Sequence, residues 1–229
     1  GLYVRLKLTE APIFIAALNQ LKPKTLPVME VIVTHFKPFF LGILICIAGY
    51  VLFYIMIAFS QIYAKSAPTV SEAGYAMGLG FSPQIFTALL MCSAISLAIT
   101  IAISGKYIDI IGRRIWLIWT TFGVVIFGLA LPYFLDNGTT TSLFWFLMIG
   151  MGLIGMGYGP LASFLPELFP THARYSGASL TYNISGLFGA SVAAIIALPL
   201  NANYGLKGVG IYLTLNAVLS LIGLWFITE

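Results

Sequence analysis

Eighteen residues of this 229-residue chain carry a formal charge, and two histidines and two cysteines are added to them. Acid–base or nucleophilic chemistry needs such groups within hydrogen-bond reach of each other. Their placement argues against it. The only two aspartates, Asp109 and Asp136, flank the apolar stretch 115–135. If that stretch crosses a bilayer, they lie on opposite sides and form no acid pair. His35 and His172 fall in polar connecting segments, and the HExxH pattern of zinc proteases is absent. No phosphate-binding glycine–lysine loop is present either. Cys46 and Cys92 sit in apolar runs and read as packed thiols without a disulfide. An enzyme is therefore excluded, and no metal or cofactor is expected. The charges near apolar stretches form two clusters, GKYIDIIGRR (Gly105–Arg114) and PELFPTHAR (Pro166–Arg174). Asp109 and Arg113 stand at i, i+4 and are expected to pair on one helical turn. Glu167 and Arg174 are expected to bridge neighbouring helix ends.

The elements that hold these clusters follow from composition. Only 8% of residues are charged and 60% are hydrophobic, against roughly 25% charged in a soluble domain. Six stretches lack Asp, Glu, Lys and Arg altogether: 38–64, 73–105, 115–135, 137–166, 175–206 and 208–228. Each reaches the roughly 20 residues that span bilayer hydrocarbon. An all-α membrane protein with six spans is expected, over about 38–63, 83–104, 115–135, 142–165, 175–198 and 209–228. Ser82 and Pro83 form a cap and first-turn pair, and Asp136-Asn137-Gly138 a tight turn. With six spans both termini share one side. That side carries Arg5, Lys7, Lys22, Lys24, Lys37, Lys106, Arg113, Arg114 and Arg174, and the other only Lys65 and Lys207. Positive residues mark the cytoplasmic side, so both ends are expected there. The net charge of +4 is thus an orientation signal, with no nucleic-acid partner implied.

Small residues recur every four positions in two spans: Gly177, Thr181, Ser185, Gly189, Ala193 and Ala197, and Ala88, Cys92, Ser96, Thr100 and Ser104. Gly150, Gly152, Gly155, Gly157 and Gly159 form a third set. Such faces let helices approach closely. Residues 1–37 read as a cytoplasmic linker with a short interfacial helix over Pro27–Phe36, its Val28, Val31 and Ile32 on one side. Residues 38–229 read as the bundle. The opening lacks a signal peptide's apolar core, and the chain reads as part of a longer protein.

GKYIDIIGRR resembles the signature loop of the major facilitator superfamily, with Gly105, Asp109, Gly112, Arg113 and Arg114 at the matching positions. Ile110 departs from it, standing where an arginine is common. Gly157–Asn183 is similar to the region between the tenth and eleventh helices of the metabolite–proton symporter branch. Arg5–Phe14 is similar to the segment after the sixth helix, with Ala11 for the usual serine. The resemblance implies the C-terminal half of a secondary transporter, built of two inverted three-helix repeats. Its lipid-embedded partner, an N-terminal six-helix half, would precede it. It implies alternating access for a small organic acid or zwitterion, with the proton as the coupling ion, in the inner membrane. Asp109, Arg113, Arg114, Glu167 and Arg174 would form the cytoplasmic gate, positioned by Gly105 and Gly112. Tyr50, Tyr54, Gln61, Tyr158, Tyr182 and Asn183 would face the substrate cavity. An uncoupled facilitator, a drug exporter or a non-transporting scaffold half remain the alternatives. No span carries an ionisable acid or base, so coupling chemistry is expected in the other half.

Overall fold

The computed structural model describes residues 27–227. The Arg5–Phe14 segment and the basic residues Arg5, Lys7, Lys22 and Lys24 lie outside the described residues. Helix α1 spans Pro27–Thr34, and α2 begins at Phe36. Helix α2 runs as an α-helix to Tyr54, widens into a π turn at Ile55–Phe59 and ends at Lys65. Then come α3 (Pro83–Ile111), α4 (Arg113–Leu135) and α5 (Thr140–Glu167). Helix α6 (Arg174–Gly186) passes through a second π turn, Leu187–Ser191, into α7 (Val192–Phe226).

Apolar sequence forces this all-helical answer, because only a helix satisfies its own backbone donors and acceptors in lipid. Among the described residues five helical stretches are long and apolar enough to cross a membrane, the last running 53 residues from Arg174 to Phe226. A straight helix of that length would reach about 80 Å, far beyond the roughly 30 Å of hydrocarbon. It does not run straight. Gly205 takes φ 67° and ψ −169°, a backbone region that essentially only glycine occupies. Contacts along α2 and the connection after it show the reversal. Tyr54 meets the carbonyl of Ala194, and Ser71 that of Ala202. Past the break the chain returns, with Ser220 against Leu44 and Ala48. The sixth expected span is therefore present, joined to the fifth through one glycine.

Packing has an internal symmetry. Helix α3 packs chiefly on α5, α6 on α2, and α4 on the α7 segment. Exchanging first with fourth, second with fifth and third with sixth spans carries the first two pairings into each other and the third into itself. This is the arrangement of two inverted three-helix repeats.

The small-residue faces account for the close contacts. Gly177, Thr181, Ser185, Gly189, Ala193 and Ala197 are all buried. Ser185 donates to the carbonyl of Ile43 on α2 at 3.4 Å. The α3 stripe holds only in part: Thr100 and Ser104 are buried and Ser96 half-buried, but Ala88 and Cys92 are exposed. A four-residue repeat drifts about 40° per step on a helix of 3.6 residues per turn. Over that stripe the early members rotate off the interface, and Phe86 and Ser93 are buried in their place. The α5 glycines meet the α3 hydroxyls: a Cβ on Gly152 would lie 3.0 Å from Ser96 Oγ, and one on Gly159 2.6 Å from Ser104 Oγ.

Two expectations change at the ends. Gly105–Ile111, read as a connecting loop, is the last two turns of α3. The helix outlasts its charge-free stretch because Ile108 is still buried, and it stops where Gly112 turns to φ 94°. In α1 only Val31 is buried, while Val28 and Ile32 are exposed. The 65–80 connection contains an antiparallel bridge, Val70 to Ala76, and ties back through Leu79 N–H to the Tyr63 carbonyl. Ser82 Oγ caps α3 by accepting from Ile85 N–H, as the Ser-Pro pair implied.

Candidate functional site

Gly112 is the pivot of the charged cluster. Its positive φ separates α3 from α4 by one residue, and this sets Asp109 beside Arg113 at 3.7 Å. The same guanidinium reaches Glu167 at the end of α5. Arg113 therefore holds two carboxylates from two other helices. Glu167 does not bridge to Arg174: among the described residues Arg113 is its salt-bridge partner, and Arg174 is exposed at the start of α6. The reason is packing, which brings the α4 start against the α5 end. Arg114 points elsewhere. Its Nε and Nη2 each donate at 2.9 Å, to the carbonyls of Leu224 and Trp225 at the end of α7. A cation on the last open carbonyls of a helix is a favourable cap. Gly105 is exposed within α3, and a Cβ there would meet nothing within 4 Å.

The cluster lines a cavity of about 550 Å³ whose walls include Lys37, Asp109, Arg113, Glu167, Phe226 and Ile227. Both ends of the described bundle thus meet on one face. At the other end of α4, partial burial raises the Asp136 carboxyl above its ordinary value, and Lys207 works against that rise.

One turn deeper along α2 and α5 is a second cavity of about 400 Å³. Its wall is mostly aliphatic, with Tyr50, Tyr158 and Tyr182 as its aromatic hydroxyls and Cys46, Thr120 and Thr121 beside them. The Tyr50 and Tyr182 rings meet edge-on, 5.1 Å between centroids. Close approach makes this possible: Gly186 and Gly189 of the π-turn region stand directly against Tyr50. Among the described residues no Asp, Glu, Lys or Arg lines this cavity. Three other candidates lie apart from it. Tyr54 donates to the Ala194 carbonyl at 3.4 Å, Asn183 to the Ser179 carbonyl at 2.7 Å, and Gln61 is exposed. Sequence reasoning missed Thr120 and Thr121, although they are the only hydroxyls besides Tyr133 in that span. It also missed the target of Arg114, which no spacing reveals.

Six helical crossings in two inverted repeats, with a charged clasp at one face and a mostly aliphatic cavity bearing three tyrosines beneath it, define an all-α membrane bundle. The comparisons give its family. Residues 76–229 match the family described as "Sugar (and other) transporter", and the chain belongs to this family of the major facilitator superfamily. A protein of Haemophilus influenzae named for metabolite transport is 89% identical over all 229 residues, which cover 51% of that relative. An inner membrane metabolite transport protein of Escherichia coli is 38% identical over 98% of the chain and 50% of its own length. A proline/betaine transporter of Salmonella typhimurium is 25% identical over 97% of the chain and 44% of its own. The chain spans about half the length of the curated relatives it matches. No solved structure matches it.

Proposed function

We propose that this chain is the C-terminal half of an inner-membrane secondary carrier that moves a small zwitterion or organic acid by alternating access, together with a proton. The observation that carries the reading is the Arg113 clasp directly above the tyrosine-lined cavity. The clasp is partly exposed, with Asp109 74% and Glu167 53% accessible. Pairs in such surroundings contribute roughly 0–1 kcal/mol each. A clasp of that strength closes the face without locking it, as a gate requires. The ordered small-residue faces beneath allow helices to shift against each other.

The cavity favours a substrate without a strong net charge. An uncompensated ion is costly in such a wall, whereas tyrosine faces attract alkylammonium groups and their hydroxyls bond a carboxylate. The names of the relatives point to metabolites of this kind, proline and betaine among them. Helix α3 has only 17% of its apolar window buried, and its outer face, with Met91, Ile95 and Ile99 exposed, suits the missing N-terminal half. That half would also supply the proton-coupling carboxylate, since the described cavity has none. In this reading the Arg113 face is cytoplasmic.

Uptake of radiolabelled proline and glycine betaine into proteoliposomes tests it, with the intact protein reconstituted. Uptake is expected to rise when the outside is made acidic relative to the lumen, and to collapse with a protonophore. Equal uptake with and without the gradient would leave an uncoupled facilitator.

A further inference from the structure

A cluster outside both cavities remains unexplained by transport. Glu30 on α1, His35 between α1 and α2, and His172 in the α5–α6 connection meet at the outer edge of the Arg113 face. One ligand atom from each lies within 4.8 Å of the other two. His172 Nε2 and Glu30 Oε1 are 2.7 Å apart. The His35 and His172 rings stand 6.5 Å apart, tilted at 59°. All three side chains are half-buried, so the site is shielded yet open to an incoming ion.

We propose that Glu30, His35 and His172 form a binding site for a divalent transition-metal ion of the zinc type, with water completing its shell. Two imidazoles and a carboxylate are the donor set of open tetrahedral zinc sites. The nitrogens disfavour calcium and magnesium, which take oxygen ligands. Zinc bonds of about 2.0–2.1 Å place tetrahedral ligands about 3.3 Å apart. The present separations, from 2.7 Å to at most 4.8 Å, bracket that spacing.

The frame supports it. His35 leaves the helical conformation at φ −115° and ψ 36°. It is still fixed on both sides, donating to the Val31 carbonyl and accepting from Phe39 N–H, each at 3.1 Å. Val31 is fully buried, which seats α1. The metal would tie residues 142 positions apart and fasten α1 to the start of α6. Without an ion, the Glu30–His172 hydrogen bond makes the same link more weakly.

Cobalt(II) is the probe, added to the intact purified protein in detergent. The expected result is a visible absorption band of a low-symmetry site that saturates at one ion and is displaced by zinc. H35A and H172A are expected to remove it. E30Q keeps the size of the side chain and so guards against misfolding; it should weaken cobalt binding by about tenfold or more. Zinc should raise the melting temperature of the wild type and leave H35A/H172A unchanged. A cobalt band of equal strength in both histidine variants overturns the proposal, and so does a wild-type protein that gives no band.

Discussion

At the residue scale, one arginine does most of the organising. Arg113 binds Asp109 at the end of α3 and Glu167 at the end of α5. The first partner was legible from i, i+4 spacing. The second was not, because it depends on how α4 packs on α5, which no local pattern states. The same division separates the tyrosines. Tyr50 and Tyr54 share a spacing, yet only Tyr50 lines the cavity, where it joins Tyr158 and Tyr182 from two other helices. Tyr54, next to the π turn, spends its hydroxyl on a neighbouring backbone carbonyl. For Asp109→Asn, transport should fall severalfold, up to about fivefold, the effect of losing a partly exposed pair worth roughly 1 kcal/mol. Its amount in the membrane should stay at wild-type level, since Asp109 is largely exposed. Uptake at the wild-type rate would remove Asp109 from the gate.

At the element scale, contact is made by what is missing from side chains. Where α5 crosses α3, a Cβ on Gly155 would stand 2.6 Å from the Leu97 carbonyl oxygen. That oxygen belongs to backbone and cannot rotate away. Gly155→Val should therefore destabilise the bundle by about 1–3 kcal/mol through overpacking, read as a lower melting temperature in detergent. Gly49, with nothing within 4 Å of its added Cβ, is the matched control and should tolerate alanine. The stripe in the fifth span was readable because all six of its members are buried. The α3 stripe was only half readable, since a strict four-residue repeat outruns the helical turn. The two π turns were not readable at all. Each is an extra residue absorbed by backbone geometry, and IMIAF and LFGAS look like any apolar run.

At the scale of the whole molecule, the number and apolarity of the spans were plain in the charge-free windows. Their spatial order was not, because it arises from the exchange symmetry of the two repeats. Sidedness is the molecular property that labelling can test. In a background without native cysteines, Asn137→Cys in the exposed α4–α5 turn should react with an impermeant maleimide on intact cells. Lys106→Cys, exposed near the Arg113 face, should react only after permeabilisation. The reverse pattern would invert the molecule in the membrane.

Gly205 gives this architecture a parity. Five unbroken rods through a bilayer would be an odd number of crossings and would deliver the two ends of the bundle to opposite compartments. One glycine makes the number even. It returns Phe226 and Ile227 to the cavity that Lys37 also lines, and it puts the carbonyls of Leu224 and Trp225 within reach of Arg114. The backbone of one residue on the far side thus fixes where the last helix meets the near side.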